Sequence, residues 1–198
     1  MIRYIVGIDE AGRGPLAGPV SVAAVAIPIR QYHVLVRYFS DAKDSKKLSP
    51  KQRESLMMKI KKRSRSLSFS VSLVGNALID RRGIVWAIRT AIKRCLIKLN
   101  VPPDGSRVLL DGSLKAPEKF SDQKTIIRGD DTVKIISLAS IVAKVHRDRH
   151  IMRMAKRFPE YGFEIHKGYG TRHHLKMLRK HGPSAIHRRS FLTHLPKR

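Results

Sequence analysis

Two apolar runs joined by a glycine- and proline-rich turn open the chain, and they constrain its fold more than any other feature. Residues 2–8 are apolar and rich in β-branched side chains, which predicts a buried strand. Residues 20–27, VSVAAVAI, predict a second one. The turn between them begins Gly12-Arg13-Gly14-Pro15, so the two strands are expected to pair as an antiparallel hairpin. Asp9 and Glu10 stand side by side where the first run ends.

The rest of the chain builds on that hairpin. Residues 30–48 read as irregular, with DAKDSKKLSP as a polar loop. Ser49 and Pro50 before KQRESLMMKIKK predict an N-capped helix, with proline at its first position and Glu54 early in it. Residues 67–74 alternate small polar and apolar residues, as a half-buried strand does. A helix is predicted from about Arg82 to Leu99, stopping before Pro102 and Pro103. RVLLD (107–111) and TIIRG (125–129) predict short strands. From Asp131 to about Arg157 the spacing is helical, with Ile135, Leu138, Ala139, Val142 and Val145 on one face, and Phe158 and Pro159 end it. Residues 171–181 predict a last regular helix. This order implies an α/β domain, a mixed β-sheet flanked by helices. The 198 residues suit one domain, read here as 1–198 with a short helical part from about residue 160.

Charge narrows the function. Lys and Arg total 41 against 15 acids, a net +26, which points to a polyanionic partner, nucleic acid first and a ribosomal or membrane-surface role second. The lone Cys95 excludes an internal disulfide framework or a cysteine zinc cluster and reads as a small core residue. No apolar run approaches the ~18 residues of a membrane span. No charged stretch followed by a long apolar one opens the chain, so a cytoplasmic location is expected.

In so basic a chain the placement of acids is informative, because burying a carboxylate is costly unless it is paired or binds metal. Asp9 and Glu10 end the first strand, Asp111 ends RVLLD, and Asp130 follows TIIRG just before a helix. Four carboxylates at three strand ends are candidates for one site holding hard cations such as Mg²⁺ or Mn²⁺. Two such ions held close together are a device for in-line phosphoryl transfer. Turn formation at Asp111 and helix capping at Asp130 are the plain alternatives. Adjacent strand residues point to opposite faces, so Asp9 and Glu10 reach one site only if the strand ends or twists there. His173, His174, His146 and His150 read as surface or phosphate-contact residues rather than metal ligands.

At these residues the sequence resembles ribonuclease HII, the type 2 ribonucleases H. IDEAGRGPLAGPV matches the family's opening signature. DSKKLS (44–49), LLDG (109–112), RGD (128–130), ASIVAKVHRDR (139–149), HKGYGT (166–171) and IHRRSF (186–191) follow in the family's order. The resemblance implies a ribonuclease H-like fold and a single catalytic domain. It implies an endonuclease dependent on Mg²⁺ or Mn²⁺ that cuts the RNA strand of RNA–DNA hybrids. Such an enzyme also nicks duplex DNA 5′ of an embedded ribonucleotide, leaving 3′-hydroxyl and 5′-phosphate ends. It identifies Asp9, Glu10, Asp111 and Asp130 with the family's metal-site acids. The family's sugar-reading turn falls on Gly12, Arg13 and Gly14, and its junction-sensing tyrosine on Tyr169. Lys46 is a candidate phosphate contact, with a solvated lysine as the alternative. A core tyrosine is the alternative for Tyr169.

Gly83 departs from the family, many of whose members carry asparagine in an I-D-x-x-N-I stretch; somewhat altered substrate grip is expected there, without loss of chemistry. The extra N-terminal domain of ribonuclease HIII is not expected, because the first strand is read from residue 2. A monomer without a membrane partner is expected. A non-catalytic basic nucleic-acid-binding protein accounts for the charge but not for four acids at strand ends. A resolvase- or transposase-like nuclease would need no ribonucleotide. The basic C-terminal HLPKR fits either a solvated tail or a duplex contact.

Overall fold

The computed structural model describes residues 1–42 and 45–193, so Asp44 and the HLPKR end lie outside the described residues. Strands β1 (Tyr4–Ala11), β2 (Val20–Pro28), β3 (Ser68–Val74), β4 (Ser106–Asp111) and β5 (Gln123–Ile126) form one sheet in the order β3-β2-β1-β4-β5. The expected hairpin is present: β1 and β2 pair antiparallel from Tyr4 with Pro28 to Ala11 with Ser21. β3 extends it antiparallel, while β4 and β5 run parallel to β1. The sheet is mixed, as expected.

Helices cover both faces. The first are α1 (Ile29–Tyr38), α2 (Pro50–Lys62), α3 (Asn76–Arg82) and α4 (Ile84–Leu99). α5 (Gly129–Thr132), α6 (Lys134–Ala155), α7 (Phe163–His166), α8 (Arg172–His181) and α9 (Arg189–Leu192) follow. Val6 and Ile8 of β1 pack with α4 residues Ala87, Ile88, Ala91 and Cys95 on one face. Ala23, Val25 and Ile27 of β2 pack with α1, α2 and α6 on the other. α6 passes so close to β1 that a Cβ at Gly7 would sit 2.4 Å from the Ile135 carbonyl oxygen. A third cluster, with Ala17, Ile151, Tyr161, Phe163 and Leu178, ties the C-terminal helices to the turn after β1.

Several expectations shift. Residues 30–48 are not irregular: α1 forms there, because Leu35 and Phe39 bury against the sheet. The helix expected from Arg82 is two helices broken at Gly83, whose φ of 83° and ψ of 158° suit glycine alone. TIIRG is displaced, with β5 ending at Ile126 and Arg128 turning left-handed at φ 53°. The Ser49 cap of α2 is present and forms a capping box with Gln52. Cys95 is buried in the core, as expected, and burial pushes its thiol up to about 11. Among the described residues, no helix is long and apolar enough to cross a membrane.

Candidate active site

Strand pairing explains which acids meet. Gly7 pairs with Leu109 and Ile8 with Leu110, so one step further along the same parallel register Asp9 lies beside Asp111. Leu109 belongs to the cluster under α6, and alternation sends Asp111 to that same face. Asp130 arrives from the one-turn α5 immediately after β5, and its amide donates to Asp111 Oδ1 at 3.2 Å. Carboxylate oxygens of Asp9, Asp111 and Asp130 all lie within 4.8 Å of one another. Asp111 does open a turn, its carbonyl accepting from the Leu114 amide at 3.1 Å, but this leaves its carboxylate free for the site, and Asp130 caps no helix. No side-chain cap closes α5 or α6 at its N-terminus, and the Asp111 side chain turns to Asp130.

Glu10 is not in this group. Alternation turns it from Asp9, and its nearest cation is Arg13, at 3.4 Å. It nevertheless feels Asp111, which with burial raises its pKa against the pull of Arg13. Asp9 is 4% exposed, and burial, reinforced by Glu10 and Asp111, holds its pKa well above the ordinary carboxylate range. A hydrogen bond with Ser140 opposes the shift. A largely buried group of three hard oxygen donors at close range fits a divalent cation. Asp9, Asp111 and Asp130 would hold it. Lys46 Nζ stands 3.3 Å from Asp130, and Lys47 pairs with Asp131 at 2.6 Å.

A groove of about 440 Å³ runs beside the acids, lined by Glu10, the 11–14 turn, Ser45, Lys46, Arg53, Ser140, Lys144 and Tyr169. Gly12, Arg13, Gly14, Lys46 and Tyr169, drawn from three distant segments, thus share one concave surface. Gly12 has φ 90°, and a Cβ there would fall 1.9 Å from Arg147 Nε. A Cβ at Gly14 would meet no protein atom, so its absence leaves room on the open side. Tyr169 is 43% exposed, with Lys144 Nζ 5.8 Å from its ring centre, so it is not a core tyrosine. Burial lowers the Lys144 pKa against its ion pair with Asp148 at 2.9 Å.

Two buried arginines hold the turn and were given no role by sequence reasoning. Arg188 donates to the carbonyls of Gly12 (2.7 Å), Arg13 (2.8 Å) and Gly18 (2.9 Å). Arg147 donates to Pro19 (3.0 Å), Ala17 (3.2 Å) and Lys167 (3.1 Å). Both are 0% exposed, and backbone oxygens satisfy their charge-assisted donors. The signal lay in HRDR and IHRRSF, where an arginine stands among residues of a motif rather than on a solvated face. His174 corrects the surface reading of the histidines, since it is 0% exposed and bonded on both ring nitrogens.

The comparisons agree with this geometry. The family model for ribonuclease HII matches residues 6–194. The ribonuclease HII of Caldicellulosiruptor bescii is 45% identical over 193 residues, covering 98% of this chain and 88% of its own. That of Endomicrobium trichonymphae is 44% identical over 187 residues, covering 94% and 84%. The crystal structure of ribonuclease H2 from Pyrococcus horikoshii superposes with a TM-score of 0.67 at 27% identity, covering 94% of this chain and 93% of that one. The ribonuclease HII of Archaeoglobus fulgidus, solved in complex with PCNA, gives 0.72 at 26% identity, covering 98% and 96%. The fold is therefore ribonuclease H-like, and the chain belongs to the ribonuclease HII family, nucleases with ribonuclease H activity on RNA–DNA hybrids.

Proposed function

We propose that the chain both cuts the RNA strand of RNA–DNA hybrids and nicks duplex DNA on the 5′ side of a single embedded ribonucleotide. The observation that carries this reading is the junction of two features. A group of three carboxylates within 4.8 Å adjoins a groove lined on one side by the 12–14 backbone and on another by Tyr169. The acids suit phosphodiester hydrolysis, and the turn suits recognition of a sugar.

The division of labour follows from chemistry. Asp9, Asp111 and Asp130 would hold Mg²⁺ or Mn²⁺, and Glu10, which feels the charge of Asp111, would serve a second cation. When bound, such cations would acidify a water and neutralise phosphate charge. Backbone groups at Gly12 and Gly14 meet the 2′-hydroxyl, which alone distinguishes RNA from DNA at that point. Arg13 and Lys46 grip phosphate oxygens. The Tyr169 hydroxyl bonds the same 2′ group while its ring packs on the neighbouring sugar. Water adds to phosphorus, the bond from phosphorus to the 3′ oxygen breaks, and that oxygen leaves with a proton. The products are 3′-hydroxyl and 5′-phosphate ends. The chain works as one catalytic unit, since Arg188 from its C-terminal part holds the Gly12 and Arg13 carbonyls.

The test uses an end-labelled DNA duplex with one ribonucleotide, in Mg²⁺ or Mn²⁺ at low salt, with EDTA and an all-DNA duplex as controls. A metal-dependent nick just 5′ of the ribonucleotide is expected. Cutting of long hybrids without that nick would confine the enzyme to RNA strands, and cutting of all-DNA duplex would overturn the sugar reading.

A further inference from the structure

Beside Tyr169 lie three buried histidines that the reading of the site leaves unused. His166, His174 and His187 are 7%, 0% and 1% exposed. The rings of His166 and His174 stack at 4.3 Å, and Phe163 packs edge-on against both. Every polar atom of these rings has a partner, and the partners fix the protons. The Ser184 amide can only donate, and it lies 2.8 Å from His187 Nδ1, so that nitrogen accepts and the ring carries its proton on Nε2. His187 Nε2 lies 2.9 Å from His174 Nε2, which must therefore accept. His174 then carries its proton on Nδ1, and this donates to the Tyr169 carbonyl at 2.8 Å. An amide at one end and a carbonyl at the other leave one tautomer for each ring.

The chain of bonds ends on the residue proposed to meet the sugar. The Tyr169 amide donates to the His166 carbonyl at 2.9 Å, and its own carbonyl also accepts from the Thr171 amide at 2.8 Å. The Tyr169 main chain is pinned on both sides while its ring stays on the groove. An added proton breaks this relay. On His174 it would set two N–H groups face to face, and on His187 Nδ1 it would turn that nitrogen from the Ser184 amide to the Ser184 hydroxyl, also at 2.8 Å. Both rings are held neutral, their pKa values lowered to about 4, chiefly by burial.

We propose that His174 and His187 are positioning residues that fix the Tyr169 main chain and so set where the Tyr169 side chain meets a ribonucleotide in the duplex. The inference rests on the reading of Tyr169 as the sugar contact. The His187 main chain bridges Ala17, but the two imidazole rings bond neither the acids nor the turn, so the rings act on the groove through Tyr169.

The experiment measures kcat and KM of the full chain on duplex DNA with one ribonucleotide, in wild type, His174→Phe, His187→Leu, His187→Gln and Tyr169→Ala. His174→Phe keeps a planar aromatic ring and removes both nitrogens, while glutamine at 187 restores a donor at the reach of Nε2. About a tenfold fall in kcat with KM within about twofold is expected for His174→Phe and His187→Leu, with His187→Gln recovering most of it. In the Tyr169→Ala background, His174→Phe should add less than about twofold, because coupled residues are non-additive. Independent, multiplying losses in that double variant would overturn the inference and make the histidines merely structural. Impaired Tyr169→Ala beside unimpaired His174→Phe would overturn the positioning role alone. Wild-type nicking by Tyr169→Ala would overturn the sugar-contact reading and the positioning role with it. Where His174→Phe does not fold, His187→Leu against His187→Gln makes the same comparison one residue removed.

Discussion

Asp9 sits where its surroundings oppose its charge, because it is buried and feels the charges of both Glu10 and Asp111. A carboxylate whose pKa is raised on folding leaves the folded state binding more protons than the unfolded one, so it costs stability as pH rises past its ordinary value. Asp9→Asn is therefore expected to raise the metal-free melting temperature at neutral pH while lowering cleavage at least ~1000-fold, the scale of losing a group central to transition-state charge stabilisation. Mg²⁺ or Mn²⁺ should raise the melting temperature of wild type more than that of the variant, because the cation binds the native acids. Calorimetry with and without EDTA checks both, and an unstabilised, still active Asp9→Asn would remove Asp9 from the site. At this scale the sequence was informative for a physical reason. An acid at the end of an apolar run needs a compensating partner, so Asp9, Asp111 and Asp130 stood out singly. Glu10 stood out equally, yet strand alternation keeps it outside the close group. The pairing that brings Asp9 beside Asp111 joins residues about a hundred apart and left no local mark.

At the scale of elements, the turn after β1 is held from outside itself. Gly12 needs its positive φ, and the space of its missing Cβ is taken by Arg147. Gly12→Ala is expected to cost about 2 kcal/mol or more, from left-handed backbone strain and displacement of a buried arginine. Urea unfolding measures that cost, and nicking at a single ribonucleotide should fall further than cutting of a long hybrid. The helices at the C-terminal end carry the opposite pH signature to Asp9. His174 and His187 have folded pKa values of about 4 against an ordinary 6.5. A depressed value means the unfolded chain takes up protons first, so this contribution is full above about pH 6.5 and is lost as pH falls towards 4. Facing the pair are His166, His173 and Tyr161, none of which supplies negative charge at neutral pH. The melting temperature should drop between pH 7 and pH 5 more steeply in wild type than in His174→Phe; equal slopes would show that folding leaves the His174 pKa at its ordinary value. Regular elements were legible wherever periodicity and caps agreed, as at Ser49 with Gln52. α1 was missed because it buries Leu35 alone, too sparse an apolar stripe to show helical spacing, and the break at Gly83 because helical spacing runs through it.

Across the whole molecule, charge and fold divide the work. The hairpin and the helix-covered sheet could be read along the chain, but the position of β4 next to β1 is a crossover that only tertiary packing decides. Net charge was legible at once, since 41 basic residues against 15 acids give +26, and several of those acids are gathered at one end of β1, β4 and β5. On the proposed reading the acids would hold cations and the basic surface would face a polyanion, so binding and chemistry should respond to different ions. Each phosphate that a lysine or arginine neutralises releases counterions and adds about −0.9 to the slope of log binding constant against log salt on duplex DNA. With about six such contacts, hybrid binding in Ca²⁺ should weaken on the order of 1000-fold between 50 and 200 mM salt. All-DNA duplex of equal length should show the same slope, because the backbone charge is the same. Cleavage at saturating substrate should change little over that range, since the close carboxylates are buried and weakly screened. Fluorescence anisotropy over a salt series, paired with single-turnover cleavage, separates the two. A flat binding curve would mean that the duplex is held by shape and the 2′-hydroxyl alone, with the positive surface turned to some other polyanion.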